Sequence, residues 1–310
     1  MRVVLTGAAG MLGSSIAEAW RRLRPDDELV GVDRVDVDLR DREAVLDLVT
    51  TVAPGAIVHV AARVGGIADR LAHPAGYLLD NLLIDTSVIS AALTVGVPEL
   101  LYVSSGGIYP ADAAQPIPEG ALLTGPLEPA LEPYAIAKIA GTRLCAHASS
   151  ERGFRYRAMI PSNMYGPGED PALDRAQLVT AALRKMYDAK RAGGGEVVVW
   201  GDGTALRELT YVGDVAGWVV EAAGRLAAWP ELMNLGSGKE VTVREVYETA
   251  REVSGAKVDL VFDASRPVGV ARRILDSTKA RALGWAPTTS LGDGMAVAYR
   301  ALEARLDAER

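Results

Sequence analysis

At Gly7 the chain leaves a short apolar run, Arg2–Thr6, and enters Gly7-Ala8-Ala9-Gly10-Met11-Leu12-Gly13, which opens a helical pattern over Met11–Leu23. Few local features constrain a fold as strongly. Glycines between a strand and a helix let the backbone approach a pyrophosphate and let the helix pack closely on the strand. The helix N-terminus then offers free N–H groups and the positive end of its dipole. Its place inside a strand–helix–strand unit gives the pattern the context that a bare glycine spacing lacks. Gly7, Gly10, Met11, Leu12 and Gly13 are therefore expected to hold a dinucleotide. The next strand ends Val32-Asp33-Arg34. An acid there suits the ribose hydroxyls of NAD, and an arginine suits the 2′-phosphate of NADP. Both residue types are present, so the pattern leaves the two cofactors open. Asp38 and Leu39 follow where a loop can touch the adenine.

Strand-like runs at 2–6, 28–32, 56–61, 100–104 and 155–160 alternate with helical patterns at 11–23, 42–52, 75–95 and 134–152. The strands are apolar on both faces, as a parallel sheet covered on both sides requires. This predicts an α/β fold, a Rossmann-type doubly wound parallel sheet with a smaller α/β substrate lobe. The expected boundaries are 1–165 for the dinucleotide domain, with segments returning near 205–235, and 166–310 for the lobe. In the second half, helices are expected at 177–191, 215–226, 243–253 and 291–305, and strands at 197–200 and 258–262. A net charge of −7 argues against a nucleic-acid partner, which would call for a basic face. Cys145 is the single cysteine, so no intramolecular disulfide or cysteine-based metal cluster is expected. No leader pattern and no long uninterrupted apolar run is evident, and a cytoplasmic protein without a membrane span is expected.

Tyr134-Ala135-Ile136-Ala137-Lys138 sets a phenol and an ammonium at i and i+4, on one helix face. An ammonium stabilises a phenolate and moves a tyrosine towards working pH. Ser104-Ser105 closes a preceding strand, where a hydroxyl can bond a substrate carbonyl. Three such groups together with the glycine loop exceed what chance spacing supplies.

On these residues the chain resembles the extended short-chain dehydrogenase/reductases, and among them the GDP-L-fucose synthase family, the epimerase-reductases of GDP-4-keto-6-deoxymannose. Further similar stretches are Val64-Gly65-Gly66-Ile67, Ile108-Tyr109-Pro110, Glu132–Gly141, Pro161–Pro167, Trp200–Thr204, Arg207-Glu208, Asn234–Gly238 and Phe262–Pro267. The resemblance implies a catalytic triad of Ser105, Tyr134 and Lys138, with Tyr134 and Lys138 also at the nicotinamide ribose. It implies Ala61, Pro161 and Asn163 along the cofactor. Val64, Gly107, Asn163 and Gln177 fall near the sugar, and Arg184, Trp200, Arg207 and Arg266 near the nucleotide diphosphate. A guanidinium fork matches a diphosphate. No metal is implied. A homodimer formed through the helices at 75–95 and 134–152 is implied.

Two departures qualify the likeness. The family inverts C3 and C5 with a cysteine before Ile-Tyr-Pro and a histidine in the lobe. Here those positions read Gly107 and, at or near, Gln177. Neither exchanges a proton at neutral pH. His59 and His147 fit core or surface positions, and His73 lies in a loop. The expected activity is therefore NAD(P)H-dependent reduction of the C4 ketone of a dTDP- or GDP-linked 4-keto-6-deoxyhexose, without epimerisation. Such enzymes serve deoxysugar pathways of antibiotic-producing bacteria. The alternatives are a complete GDP-fucose synthase using substitute groups such as Tyr109 or Asp170, a nucleotide-sugar 4-epimerase with retained NAD, and a cofactor-sensing scaffold. The second departure is Ala9, where many of the family carry a base for the 2′-phosphate. NADPH remains the expected reductant, with Arg34 available and NAD not excluded.

Overall fold

The computed structural model describes every residue except Asp174, Pro267, Val268 and Arg310, and Ala68 without its side chain. The first half runs β1 (Arg2–Thr6), α1 (Met11–Leu23), β2 (Glu28–Val32), α2 (Arg42–Val52), β3 (Ala56–His59), α3 (Ile67–Ala72), α4 (Pro74–Val95), β4 (Glu99–Val103), α5 (Glu132–Arg152) and β5 (Arg155–Pro161). The second half runs β6 (Asn163–Tyr165), α6 (Leu178–Arg191), β7 (Gly195–Trp200), β8 (Leu206–Tyr211), α7 (Val212–Ala222), β9 (Leu232–Leu235), β10 (Glu240–Thr242), α8 (Val243–Ser254), β11 (Val258–Asp263), β12 (Arg272–Arg273), α9 (Thr278–Ala282) and α10 (Leu291–Ala308).

Six parallel strands form the main sheet in the order β2-β1-β3-β4-β5-β9. Strand order reverses between β1 and β3. Ligands of open α/β sheets bind at such a switch point, beyond the carboxyl ends of the strands. The sheet is packed on both faces. One core joins Ile16, Trp20 and Val219 of α1 and α7 to Leu5 and Met233 of the sheet. The other joins Val45, Ile89 and Cys145 of α2, α4 and α5 to Val4, Ile57 and Tyr102. Each fully buried Val, Ile or Leu contributes about 1.5–3 kcal/mol. Helix α4 is long and apolar enough by length and composition to cross a membrane, but it packs between α2 and α5.

A third core lies in the lobe, where α6, α8 and α10 cover β7 and β11. Strand β8 pairs with β6, β10 and β12. Chain from the second half also completes the main sheet, since β9 pairs with β5. The helix expected over 215–226 differs. It spans Val212–Ala222 and ends before Gly224, whose φ of +81° breaks it, and Leu226–Ala228 forms a separate turn. The strand expected over 56–61 ends at His59, which frees Val60 and Ala61 for the loop beyond it.

Candidate active site

The glycine loop sits at the switch point. Gly7 has φ +72°, and a Cβ there would lie 2.8 Å from the Ala61 Cα in the loop after β3. A Cβ on Gly13 would lie 2.0 Å from the Gly7 carbonyl oxygen. These two glycines bring loop, helix and neighbouring strand together at distances no side chain permits. Gly10 caps α1 without a side-chain bond, and the first turn carries no acid. The positive end of α1 is thus uncompensated, and Met11 and Leu12 stand in the first turn, whose N–H groups have no acceptor within the helix. The cradle fits a dinucleotide pyrophosphate.

At the end of β2, Asp33 Oδ1 accepts from the Ala9 N–H at 2.7 Å. Arg34 is exposed, with no carboxylate paired to it among the described residues. Asp38 is held down to about 2 by its hydrogen bonds to Arg40. Leu39, expected to touch the adenine, instead packs into the core with Val32 and Val45. Its apolar side chain gains more from burial than from an open loop.

The catalytic residues come from β4 and α5. Ser105 follows β4 and caps a tight turn, its Oγ accepting from the Gly107 N–H at 3.1 Å. Tyr134 lies in the first turn of α5 and Lys138 one turn on, both buried. Gly141 lets α5 approach β4, because a Cβ there would sit 2.5 Å from the Tyr102 hydroxyl. The structure brings Ser105, Tyr134 and Lys138 together, and it adds a partner that the sequence reading missed. Lys138 Nζ lies 3.2 Å from Asp85 Oδ1 on α4, both side chains almost fully buried. Asp85 also accepts from the Tyr102 hydroxyl at 2.5 Å and from His59 Nε2 at 3.1 Å. His59 Nδ1 in turn accepts from the Thr6 hydroxyl at 2.6 Å. Burial keeps His59 below its ordinary pKa, which suits this neutral form. The Lys138 ammonium stands 4.6 Å from the centre of the Tyr102 ring.

This corrects the expected electrostatics. Burial raises the Tyr134 pKa above its ordinary value, and Asp85 raises it further, while Lys138, Ser105 and Arg70 lower it. Much of the lysine's charge is spent on Asp85. Removing one member of a buried ion pair leaves the other uncompensated. Asp85→Asn is therefore expected to cost about 3–5 kcal/mol of stability, read as a lower urea midpoint. The Asp85 pKa is lowered in the fold. Its stabilisation is thus present above the ordinary carboxylate range and is lost as pH falls through the lowered folded value.

The substrate candidates divide into groups. Trp200 is half exposed, and the Arg266 guanidinium stands 5.7 Å from its ring while pairing with Asp263 at 3.3 Å. Arg207 donates to the Leu206 carbonyl at 2.8 Å; burial and the nearby Arg273 lower its pKa. Arg273, which the sequence reading did not single out, bridges the Gly106 carbonyl at 3.3 Å and Glu128 at 3.2 Å. A Cβ on Gly269 would lie within 3.5 Å of both Glu128 and Arg207, so these groups share one wall. Val64 and Asn163 are exposed, and Pro161 is buried at the end of β5. Gln177 caps α6 and its N–H donates to Glu169 at 2.8 Å. Arg184, expected at the diphosphate, is held on its own helix by Asp188 at 2.8 Å. Gly107 is buried without steric need of glycine, since a Cβ there would meet Ser105 Oγ at 3.4 Å and Leu131 at 3.5 Å.

The groups expected to substitute for the missing acid and base are engaged elsewhere. Tyr109 is fully buried and donates to Asn234 at 2.6 Å. Asp170 pairs with Arg175 at the surface. His73 is exposed, 3.7 Å from Asp69, and His147 lies on the outer surface of α5. Cys145 is buried in the apolar core, which pushes its thiol pKa up.

Residues 3–236 match the NAD dependent epimerase/dehydratase family. A putative GDP-L-fucose synthase 2 of Oryza sativa subsp. japonica is 42% identical over 300 residues, covering 96% of this chain and 86% of that protein. The GDP-L-fucose synthase of Escherichia coli K12 is 38% identical over 309 residues, covering 96% and 95%. Among solved structures, the NADP-bound GDP-mannoheptose C4 reductase MlghC of Campylobacter jejuni aligns with a TM-score of 0.89 at 25% identity, over 97% of this chain and 98% of its own.

Proposed function

The chain belongs to the NAD dependent epimerase/dehydratase family, and from that premise we propose that it reduces the C4 ketone of a nucleotide-linked 4-keto-6-deoxyhexose without inverting C3 or C5. The observation that carries the reading is a complete Ser105–Tyr134–Lys138 site beside a dinucleotide cradle, with Gly107 where a proton-exchanging side chain would stand. GDP is the favoured nucleotide, since the similar proteins act on GDP-sugars by their names; a dTDP-sugar is the other member of the test panel.

Gly7, Gly10, Met11 and Gly13 would hold the pyrophosphate, and Lys138 the nicotinamide ribose. A dinucleotide held there would supply the hydride. Tyr134 donates its phenolic proton to the C4 oxygen, so the carbonyl becomes an alcohol and the tyrosine a phenolate. Ser105 donates a hydrogen bond to the same oxygen as its charge develops. Burial, which keeps the phenol protonated at neutral pH, suits a proton donor. Turnover is expected to be full below the Tyr134 pKa and to fall as pH rises through it. Trp200 offers a face for the base, and Arg207 a fork for the diphosphate.

The reductant we assign is NADPH. Asp33 already spends one carboxylate oxygen on the loop at Ala9, while Arg34 is unpaired among the described residues and free for a 2′-phosphate. Arg34→Ala is expected to weaken NADPH binding about tenfold and leave NADH unchanged, by fluorescence titration. Tighter NADH than NADPH binding in the wild type would reverse the assignment. We place the enzyme in the cytoplasm as a homodimer through α4 and α5. Their exposed Leu79, Leu83 and Ile136 support this, and light scattering tests the oligomer. The proposal as a whole is tested by offering GDP- and dTDP-linked 4-keto-6-deoxyhexoses with NADPH. Oxidation of NADPH with formation of the C4 alcohol is expected, and inertness towards all of them contradicts it.

A further inference from the structure

Four polar side chains meet deep inside the dinucleotide domain. His59 of β3, Asp85 of α4, Tyr102 of β4 and Lys138 of α5 are each at most 1% exposed, and Tyr102 packs in the apolar core with Ile57, Ile89 and Cys145. Stability alone is a weak reason for an ion pair in such a place. Desolvating two charges costs about as much as their attraction returns, and well-packed apolar residues of similar volume often do better. Lys138 has a reason to be there, since it belongs to the reacting site. A buried ammonium then calls for an anion beside it.

That anion is held on every side. Asp85 Oδ1 accepts from Lys138 Nζ at 3.2 Å and from His59 Nε2 at 3.1 Å. Oδ2 accepts from the Tyr102 hydroxyl at 2.5 Å. His59 is fixed in turn by the Thr6 hydroxyl at the end of β1, 2.6 Å from Nδ1. The carboxylate is thus tied to β3, β4 and α5 as well as to its own helix, and it cannot swing without breaking a bond to one of them. The turn that presents the lysine is pinned too. The Thr142 hydroxyl donates to the Lys138 carbonyl at 2.8 Å and stands 3.0 Å from Ser104 Oγ, next to Ser105. Tyr134 lies one turn back on the same face of α5. These contacts set the ammonium at the catalytic serine and tyrosine, and Asp85 reaches the site through the lysine.

We propose that Asp85 is a positioning residue of the reaction, whose carboxylate, locked by His59 and Tyr102, holds the Lys138 ammonium at the one place from which it serves both Tyr134 and the nicotinamide ribose. This rests on the reductase reading and deepens it. Asp85 touches neither sugar nor dinucleotide, so its whole effect passes through Lys138.

A double-mutant cycle reads that dependence. Full-length wild type, Asp85→Asn, Lys138→Met and the double variant are compared at a temperature where circular dichroism shows each of them folded. Asp85→Asn is expected to lower kcat about 100-fold and to leave KM for the ketosugar within about twofold. With methionine at 138 the same change is expected to lower kcat less than about threefold. Tyr102→Phe, which frees Oδ2 without altering charge, keeps the test open should Asp85→Asn fail to fold. It is expected to lower kcat about tenfold beside the lysine and less than about twofold beside the methionine. The cycle is read again in NADP⁺ dissociation constants by calorimetry, where Asp85→Asn is expected to weaken binding about tenfold in the lysine background and less than about twofold in the methionine one. Losses of equal size in both backgrounds would mark Asp85 as merely structural. Those, or no loss in the lysine background, overturn the proposal and leave the reductase reading intact. A wild type inert towards every ketosugar removes the reductase reading, and the binding constants then decide whether Asp85 works through Lys138.

Discussion

Tyr134→Phe is expected to lower kcat for ketosugar reduction by about 10³–10⁴-fold while leaving the dissociation constant of NADPH within about twofold. The change removes one oxygen and with it the proton that the C4 oxygen must receive. Phenylalanine fills the same buried volume, and the ion pair of Lys138 with Asp85 at 3.2 Å does not pass through the phenol. Folding and the dinucleotide cradle are therefore expected to survive, and a circular-dichroism melt separates lost chemistry from lost structure. Retention of more than a tenth of the wild-type rate would assign the proton to another group. Asp170, tied to Arg175, and Tyr109, tied to Asn234, are poorly placed to be that group.

Gly107→Cys is expected to create an activity that the wild type lacks. A Cβ there makes ordinary contacts, 3.4 Å from Ser105 Oγ and 3.5 Å from Leu131, so the side chain enters without displacing backbone. Its thiol would stand beside the hydroxyl that bonds the ketone oxygen, next to the carbons whose protons the ketone acidifies. A thiol near its ordinary pKa of about 8.5 exchanges protons at working pH, and glycine has none to exchange. The variant is expected to wash solvent deuterium into a carbon flanking C4 at least about tenfold faster than wild type. Exchange no faster than wild type would show that Gly107 is not what separates reduction from epimerisation here.

Much of this site is legible in the sequence because its parts are local. The glycine loop and the Tyr134–Lys138 turn are each contained within a few residues, and the doubly wound sheet follows from alternating runs in the first half. The second half is less legible. Strand β9 is four residues long and joins a sheet built almost entirely from the other half of the chain. Strand β8 carries Arg207 and Glu208 in its middle, which hides its pairing with three neighbours. Asp85 left a signal that could have been used: with Asn81 it forms a polar i, i+4 pair in a helix rich in apolar residues, and both side chains prove to be buried. The pairing of Arg184 with Asp188 one turn along α6 is a local i, i+4 contact that the sequence also offered.

Wild-type reduction is expected to proceed without carbon-acid chemistry. Wild-type enzyme, NADPH and GDP-4-keto-6-deoxymannose are combined in D₂O, and the product is read by proton NMR. One NADPH consumed per C4 alcohol, with the protons at C3 and C5 retained at the level of an enzyme-free control, is the predicted outcome. Enzyme-dependent loss of the proton at C3 or C5 into deuterium would contradict it.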